Sequence, residues 1–364
     1  MRILTVNSGS TSLKLERYVL GTGTLERALP PVPEEAVSTD RVGAHHALTL
    51  ATRVPLDLVA HRIVRVPDDA PDIFALDSTA IARIRSIGAE APLHDESALD
   101  VVTTIARMHP DLPQYAVSDS GFHRTLSAAA KTYALPLEQT RAGLHRIGYH
   151  GLSHQYAAFR TAQLAGLSIE GSRIVTVHLG GGSSLCAVRD GKSIDTTMGF
   201  TPLDGIPMAT RSGSVDPGIL IHLLRSGMHV NALEEMLERK SGLLGMSDRS
   251  GDVRELLAAQ DDPAARLALD VLAWRVRASL GAMTAVLGGV DAIAFTGGIG
   301  EHAPQIRAAA LQGGLGIGAH VDDARNAHAT EGRIECHDAP VAIYVIPARE
   351  NWQLAYAALN RERA

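Results

Sequence analysis

The sequence predicts an α/β protein built from two domains of the same design. Its 364 residues are enough for two substantial cores. Apolar β-branched runs alternate with helical patterns along the chain. A stretch that occurs twice is the strongest indication: an I-x-T-V run, a polar residue, then glycine with small hydroxyl residues, at Ile3–Leu13 and again at Ile174–Leu185. Similarity over such a long interval indicates a duplicated domain and not a short-period repeat.

The second copy of this stretch contains a glycine turn that suits an anion. Ile174–Val177 is typical of a buried strand, and it leads into Gly180–Ser184. Glycines leave backbone N–H groups open to a ligand, and the two serine hydroxyls could also bind a phosphate. Two such turns could hold a polyphosphate from both sides, although a plain hairpin turn explains the glycines equally well. Neither copy matches the P-loop or the dinucleotide-binding fingerprint.

Composition is that of an ordinary globular chain and excludes several classes. A formal net charge of −6 gives no basic footprint for nucleic acid, so an anion site must depend on individual arginines. Cys186 and Cys336 are too few for a disulfide framework, which fits a reducing cytosol, and Cys186 is expected in the core. No apolar run reaches membrane-spanning length, and a strand beginning at Arg2 leaves no room for a signal peptide. We therefore expect a cytoplasmic protein without membrane or nucleic-acid partners.

In the first half, Leu13–Val19 is predicted as a strand that returns after the first glycine turn. Residues 21–45, rich in glycine, proline and charge, are predicted as surface hairpin and loop. Val59–Val64 is predicted as a buried strand. A helix begins at Ser97, because apolar residues then recur at helical spacing.

The domain boundary is predicted at a short strand, Tyr115–Ser118, that leads into Asp119. Residues 1–118 would form an N-terminal domain together with a terminal helix at about 350–364, which returns to it. Residues 119–349 would form a C-terminal, nucleotide-binding domain.

The second half repeats the α/β alternation. The longest helix is predicted over 264–287, ended by Gly288. Its apolar stripe consists of Leu269, Leu272, Val276, Leu280, Met283 and Leu287. Ala292–Phe295 is a strand that feeds a third glycine turn, Thr296–Gly300, and Val341–Ile346 is the last strand.

A few charged residues lie where a chemical role is the natural interpretation. Arg62 lies inside an apolar strand and needs an anionic partner there. Arg211 lies in a tight polar turn suited to an anion, and Asp119 follows a strand. His150 and His154 form an i, i+4 pair, which indicates a helix N-terminus with one core histidine. A zinc site is the alternative, but the glutamate that a zincin motif requires after its first histidine is absent.

Six segments, in order along nearly the whole chain, resemble the acetate kinase family, the acetokinase branch of the sugar kinase/Hsp70/actin superfamily. The most specific of them is the nineteen-residue segment at 195–213. The segments are NSGSTSLK (7–14), RIGYHGLSH (146–154), HLGGGSSL (178–185), DTTMGFTPLDGIPMATRSG (195–213), SGDVREL (250–256) and FTGGIGEH (295–302).

The resemblance implies two ribonuclease-H-like (actin-like ATPase) domains with a central active-site cleft. It implies an acetate kinase activity: reversible, Mg²⁺-dependent phosphoryl transfer from ATP to acetate, giving acetyl phosphate and ADP, with Mn²⁺ as a possible replacement. The partners implied are small molecules and a second copy of the chain in a homodimer. Propionate or butyrate kinase is the alternative within the family. A non-catalytic nucleotide-sensing protein on the same fold is the alternative outside it, and the complete set of charged site residues argues against that.

The resemblance also implies roles for individual residues. The metal would be held by Asn7 and Glu350. The catalytic groups would be Arg62, Asp119, His150 and Arg211. The acid would contact Arg62, Val64, Leu93, Tyr149 and Pro202. The nucleotide would contact Lys14, His178, Leu179, Gly180, Gly181, Gly182, Asp252, Val253, Arg254, Gly298, Ile299, Gly300, Glu301 and His302.

The chemistry of the implied reaction accounts for this set of residues. A carboxylate with a pKa near about 4 is already ionised at neutral pH, so a strong general base is not needed. The reaction must instead bring two anions together and neutralise the charge that spreads over the migrating phosphoryl group. Two arginines, a histidine and Mg²⁺ supply that charge. Asp119 is therefore interpreted as a group that positions metal-bound water or an arginine, and not as a proton carrier.

Some turn residues depart from the family pattern near the phosphates and the adenosine. Gly181 and His302 stand where asparagine is usual, and 64–67 replace a His-Gly-Gly segment. A rare branch of the family uses diphosphate in place of ATP, with an obstructed adenosine pocket. Because the glycines of the third turn remain, the sequence predicts ATP as the donor.

Overall fold

The computed structural model describes residues 1–8, 13–21, 25–27, 41–88 and 96–363. The chain forms two compact units: a first unit, Met1–Phe122 with Arg349–Ala364, and a second unit, His123–Ala348. The predicted boundary lay at 118/119 and near 350. The division after Phe122 places Asp119 in the first unit.

The first unit contains a six-stranded mixed sheet with the order β3-β2-β1-β4-β6-β5. Its strands are β1 (Arg2–Ser8), β2 (Leu13–Leu20), β3 (Leu25–Arg27), β4 (Leu58–Ile63), β5 (Ile73–Ala75) and β6 (Gln114–Ser118). Antiparallel pairing joins β1 to β2 and β2 to β3, whereas β1, β4 and β6 run parallel. The carboxyl ends of these three parallel strands therefore meet at one edge of the sheet.

Four described helices belong to the first unit: α1 (Arg41–Ala51), α2 (Ser78–Gly88), α3 (Glu96–Met108) and α15 (Glu350–Arg363). The predicted apolar face of α3 is buried at Leu99, Val102 and Ile105, whereas Met108 at its end is only partly buried. As predicted, α15 packs against β1. The loop prediction over 21–45 is wrong at its end, because helix begins at Arg41. Ala47, Leu48 and Ala51 of α1 contribute an apolar face to the core beside β1 and β2, and tertiary burial of that face outweighs the weak local pattern.

The second unit repeats the sheet of the first, strand for strand. Its order is β11-β12-β10-β7-β8-β9. The strands are β7 (Arg173–Leu179), β8 (Ser183–Arg189), β9 (Lys192–Thr196), β10 (Ala292–Thr296), β11 (Gly332–Arg333) and β12 (Ala342–Val345). As in the first unit, a β7–β8 hairpin begins the sheet, and β7, β10 and β12 run parallel. The duplicated α/β fold predicted from the sequence is confirmed.

Short helices and one long helix surround the second sheet. The long helix α11 (Pro263–Leu287) ends at Gly288 in the left-handed conformation, and every residue of its predicted stripe is buried. The other α-helices are α4 (Ala128–Lys131), α5 (Leu137–Arg141), α6 (Gly151–Ala165), α7 (Pro217–Arg225), α8 (Val230–Arg239), α9 (Gly242–Ser247), α10 (Val253–Ala258), α12 (Gly297–His302), α13 (Pro304–Ala310) and α14 (Asp323–His328). Short 3₁₀ segments lie at Gly121–Thr125 and Gln312–Gly316.

The sequence predicted a third glycine turn at Thr296–Gly300, but this segment is mostly helical. Gly297 has φ +79° and turns the chain directly after β10, and α12 then extends from Gly297 to His302. A Cβ on Gly297 would lie 2.6 Å from the carbonyl oxygen of Leu179, so only glycine fits this close approach. The first glycine turn, residues 9–12, lies outside the described residues.

The β7–β8 pair divides its side chains between two environments. Val175, Val177 and Leu185 lie in the apolar core that includes α11. The alternate positions include the polar residues Thr176, His178 and Ser184 and lie on the other face of the sheet, where α6 packs against β7. Cys186 is buried as expected, and burial raises the pKa of its thiol to about 12. Within the described part of the chain, none of the helices has the length and apolarity needed to span a bilayer.

Candidate active site

In the first unit, polar side chains collect at the carboxyl edge of the three parallel strands. Asn7 lies near the end of β1, Arg62 near the end of β4, and Asp119 directly after β6. The backbone N–H of Asp119 donates to the carbonyl of Ile63 at 2.9 Å, which holds the aspartate beside the end of β4. Glu350, the first residue of α15, reaches the same edge. Open α/β sheets commonly bind ligands at this edge.

These four side chains form one continuous chain of polar contacts. The amide nitrogen of Asn7 donates to Glu350 Oε2 at 2.7 Å, and Arg62 Nη1 donates to Asn7 Oδ1 at 3.4 Å. Arg62 Nη2 forms a salt bridge with Asp119 Oδ2 at 2.9 Å. Asp119 is 1% exposed and Arg62 is 13% exposed, so water screens this pair little. The arginine is therefore held in place from both sides.

The donor set around Asn7 fits a hydrated divalent cation. It offers an amide oxygen and a carboxylate, which are hard oxygen ligands. Among the described residues, no group of three or more His, Cys, Asp or Glu side chains could cage a metal. A cation that keeps several waters, as Mg²⁺ usually does, needs only one or two protein ligands.

The other residues predicted in the first unit lie near this edge or outside the described chain. Lys14 on β2 is exposed and directly opposite Asn7 in the β1–β2 register. Val64 is buried just after β4. Leu93, predicted in the acid pocket, lies outside the described residues.

In the second unit, His150 is held in an unusual backbone conformation. It occupies the N-cap position of α6 with φ 58° and ψ 26°, a left-handed conformation that few non-glycine residues adopt. Its ring stacks on His178 with 4.4 Å between centroids, and its Nδ1 lies 2.8 Å from Ser184 Oγ. The sequence reasoning had considered Ser184 as an anion ligand and did not predict its contact with His150.

The paired histidines have different environments, as the helix interpretation predicted. His154, one turn into α6, is fully buried. Its Nδ1 lies 2.7 Å from Thr176 Oγ1 and its Nε2 lies 2.8 Å from Ser184 Oγ. His154 is thus a core histidine with hydroxyl partners on both nitrogens, and these contacts do not form a zinc site.

His150 and Arg211 come together at Gly182. A Cβ built on Gly182 would lie 2.9 Å from His150 Nε2 and 3.6 Å from Arg211 Nη1. Arg211 Nη1 also contacts the carbonyl of Pro202 at 3.4 Å. Gly182, which has no side chain, therefore has the His150 imidazole and the Arg211 guanidinium beside it.

The Gly180–Ser184 segment is both a hairpin turn and part of a cavity wall. Its three glycines join β7 to β8, its serines begin β8, and Gly180 and Gly181 line the cavity described next. The predicted use of its serine hydroxyls for an anion is wrong. Ser183 and Ser184 are buried; Ser183 Oγ bonds to the backbone of Gly180, and Ser184 Oγ bonds to the two histidines. Strand alternation sends the two side chains to opposite faces of the sheet, and both faces are buried along this part of β8.

A cavity of about 540 Å³ begins at this turn and has the size of a small-ligand site. Predicted nucleotide residues that line it are Gly180, Gly181, Asp252, Val253, Arg254, Gly298, Ile299 and His302. Lining residues missed from the sequence are Ala209, Gly251, Leu257 and Ala303. Leu257 lies four residues after Val253 on α10, so helical spacing could have found it.

Other predicted nucleotide residues are not among those that line the cavity. Leu179 and Gly300 are buried inside their own elements. Glu301 accepts a hydrogen bond from the backbone of Ala348 at 3.0 Å. His178 stacks on His150, and Gly182 lies against the same ring.

Two arginines stabilise the helices beside the cavity in different ways. Arg254 pairs with Asp252 at 2.6 Å and lowers the pKa of that carboxyl, which also caps α10. Arg307 is buried and donates to the carbonyl oxygens of Gly300 and Glu301 at 2.8 and 2.9 Å. Burial lowers the pKa of Arg307 to about 10, so it remains a cation at neutral pH. The sequence reasoning missed this contact, which fixes the position of α12.

The remaining acid-pocket residues predicted in the second unit are Tyr149, which directly precedes His150, and Pro202, whose carbonyl accepts from Arg211. Tyr149 is 2% exposed, and its hydroxyl donates to the carbonyl of Phe200 at 2.6 Å. The hydroxyl thus has a backbone partner, and the ring can present its apolar part to a ligand.

The structure has the duplicated actin-like ATPase fold. It is similar to the crystal structures of acetate kinase from Porphyromonas gingivalis (TM-score 0.88, 28% identity, 99% of each chain) and of a propionate kinase from Francisella tularensis (TM-score 0.86, 30% identity, 97% of this chain and 98% of that one).

Sequence comparison agrees with the structural one. The acetokinase family profile matches residues 36–356. Acetate kinase from Nostoc punctiforme is 41% identical over 88% of this chain and 83% of its own length. The acetate kinase from Leifsonia xyli is 38% identical over 98% of both. The chain belongs to the acetokinase family, as the sequence motifs had indicated.

We predict that Gly182→Ala will lower kcat through His150, whereas a substitution on the cavity side of the turn will change the KM for the nucleotide. The new methyl group would displace the His150 ring, and a shift of about 1 Å at a reacting group can lower kcat about 10²-fold. Gly181→Ala is the control, because its Cβ meets no atom within 4 Å. That variant should change mainly the KM for the nucleotide. Steady-state kinetics of both variants test this, and a wild-type kcat for Gly182→Ala would show that the ring position does not matter.

Proposed function

We propose that this protein transfers the γ-phosphoryl group of ATP to acetate, reversibly and with Mg²⁺, to give acetyl phosphate and ADP. The observation that carries the proposal is the convergence of His150 and Arg211 on Gly182, in the glycine turn that also lines a cavity of about 540 Å³. Two donors and a nucleotide-sized cavity at one turn are what phosphoryl transfer needs.

The acid would act as the nucleophile without help from a base. A carboxylate oxygen forms the new bond to phosphorus while the bond from phosphorus to the ADP oxygen breaks. Arg62 would hold the acid, and Asp119, 2.9 Å away, would orient Arg62. His150 and Arg211 would neutralise the charge that develops on the transferred phosphoryl oxygens. A Mg²⁺ held through Asn7 and Glu350 would supply further positive charge near the phosphates.

The cavity supports ATP and not diphosphate as the donor. Its lining includes the apolar side chains of Val253, Leu257 and Ile299, against which a flat base could pack. Gly298 has open space where a side chain would otherwise enter. A diphosphate ion would use none of these apolar surfaces.

The apolar surface of α7 supports a homodimer. The structure describes every residue of α7, and none of them is buried. Ile219, Ile221 and Leu224 are exposed, and so is Val230 at the start of α8, the helix that packs against α7. A nine-residue helix is too short to be stable by itself and needs an apolar partner. We propose that a second copy of the chain covers this apolar patch.

The first test is acyl phosphate formation, trapped with hydroxylamine, from acetate, propionate and butyrate. We expect acetate to react best, propionate to follow and butyrate to react poorly, because each methylene that does not fit must displace packed atoms. ATP should be a better donor than diphosphate at equal free Mg²⁺. Arg211→Ala, as the site control, should lower the rate by roughly 10³-fold or more. Absence of acyl phosphate would reject the proposal, and a faster reaction with diphosphate would reject the donor.

The second test concerns the metal. Glu350→Gln keeps an acceptor for Asn7 but removes a charge, so the Mg²⁺ concentration for half-maximal rate should rise by about 10- to 100-fold. The free energy of unfolding should change little, because a carboxylate at the start of a helix contributes only about 0.3–1 kcal/mol to stability. Glu96→Gln, at the start of α3, is the matched control. A Mg²⁺ titration that is the same for wild type and Glu350→Gln would remove Glu350 from the metal site.

The third test concerns the homodimer. Ile219→Lys and Leu224→Lys each place a charge in the apolar patch, and both should convert a dimer to monomer at micromolar concentration. Leu267→Lys is the control, since Leu267 is similarly exposed but lies on α11. Sedimentation velocity distinguishes the two states. A wild-type monomer, or dimers that survive both substitutions, would show that this patch is not the interface.

A further inference from the structure

The hydroxyl of Ser184 lies between two histidines. Its oxygen is 2.8 Å from His150 Nδ1 and 2.8 Å from His154 Nε2. A hydroxyl has one hydrogen, so Ser184 donates to one ring and accepts from the other. Ser184 and His154 are both fully buried, so water does not compete for these bonds. The protonation of the two rings is therefore linked.

Thr176 sets the direction of this linkage. Its Oγ1 donates to the carbonyl of Cys186 at 3.4 Å and is therefore an acceptor for His154 Nδ1, 2.7 Å away. His154 then carries its proton on Nδ1, and its bare Nε2 accepts the Ser184 hydrogen. The Ser184 oxygen in turn accepts the Nδ1–H of His150. Each hydrogen bond in the series thus fixes the next one.

We propose that Thr176, His154 and Ser184 are positioning residues that hold His150 in its Nδ1–H form. This inference rests on the proposed function and assigns the state in which His150 acts. His150 Nε2, the atom nearest Gly182, then carries a proton only when the ring is an imidazolium. His150 therefore donates to the phosphoryl group as a cation, and a neutral ring presents a lone pair to it.

Charged and titratable groups around His150 determine when it gains that proton. His178 from β7 stacks on the ring, His154 of α6 shares Ser184, and Arg211 approaches Nε2 at Gly182. The Arg211 charge, and any charge on His178, disfavour a second cation. The phosphoryl group of a bound nucleotide is an anion and therefore favours the protonated His150 ring. The imidazolium is thus formed with substrate bound, and kcat should fall as the pH rises through the titration of His150 in that complex.

The main test is Thr176→Val, which removes the acceptor for His154 Nδ1–H and keeps the shape of the side chain. The linkage can then reverse, and neutral His150 gains its proton on Nε2. We expect the alkaline fall in kcat to weaken or move to higher pH. Thr176→Ser should keep the wild-type profile. Thr161→Val is the matched control, because Thr161 is a buried threonine of α6 whose hydroxyl has no partner among the described residues.

A measurement independent of activity decides the tautomer. The ¹⁵N resonances of His150, assigned by comparison with His150→Gln, should show a protonated Nδ1 and a bare Nε2 in the neutral wild-type ring. Thr176→Val should reverse them. Ser184→Ala provides a second route should Thr176→Val fail to fold: it should abolish the Nδ1–H preference and lower kcat by about 10- to 100-fold, the effect of removing an outer partner of a functional histidine.

A neutral wild-type His150 protonated on Nε2 would overturn the proposal. So would an unchanged pH profile of kcat in Thr176→Val together with a reversed tautomer. If the wild-type protein makes no acyl phosphate, the proposed function fails, and the ¹⁵N measurement still decides whether Thr176 and Ser184 set the tautomer.

Discussion

The register of the β7–β8 hairpin is the constraint on which the site of the second unit depends. It places Ser184 opposite His178 and Cys186 opposite Thr176 on one face, and it sends Val175, Val177 and Leu185 to the apolar core. A slip of one residue would exchange the two faces, burying hydroxyls in the core and removing the partners of both α6 histidines. Core packing of the apolar face therefore holds the polar face in place.

In the first unit, the parallel pairing of β1, β4 and β6 has the corresponding role. It brings Asn7, Arg62 and Asp119, which are far apart in sequence, to one edge, and α15 adds Glu350. Burying the Arg62 cation would be costly without Asp119. The same contact limits the directions in which the guanidinium can point, so the pairing also prepares Arg62 to bind an anion.

In both units, charged and polar site residues thus lie where other residues of the sheet form hydrogen bonds or ion pairs with them. Four histidines of the second unit have bonds to hydroxyls: His123 to Ser193, His150 and His154 to Ser184, and His178 to Ser153. Hydroxyls can both donate and accept, so they accommodate rings of either tautomer during folding. Once the chain is folded, the bond from Thr176 to the backbone selects one direction for the series that ends at His150.

The sequence by itself determined the duplicated α/β fold, the long helix α11 and the residue types that meet at the site, because periodicity and segment order are local properties. It did not determine that α1 begins at Arg41, that Gly297 leads into a helix, or that Ser184 turns inward to two histidines. Those outcomes depend on which surfaces are buried and on strand register. Both are set by contacts between distant segments, such as Thr176 with His154 and Gly182 with His150, which only the tertiary structure brings together.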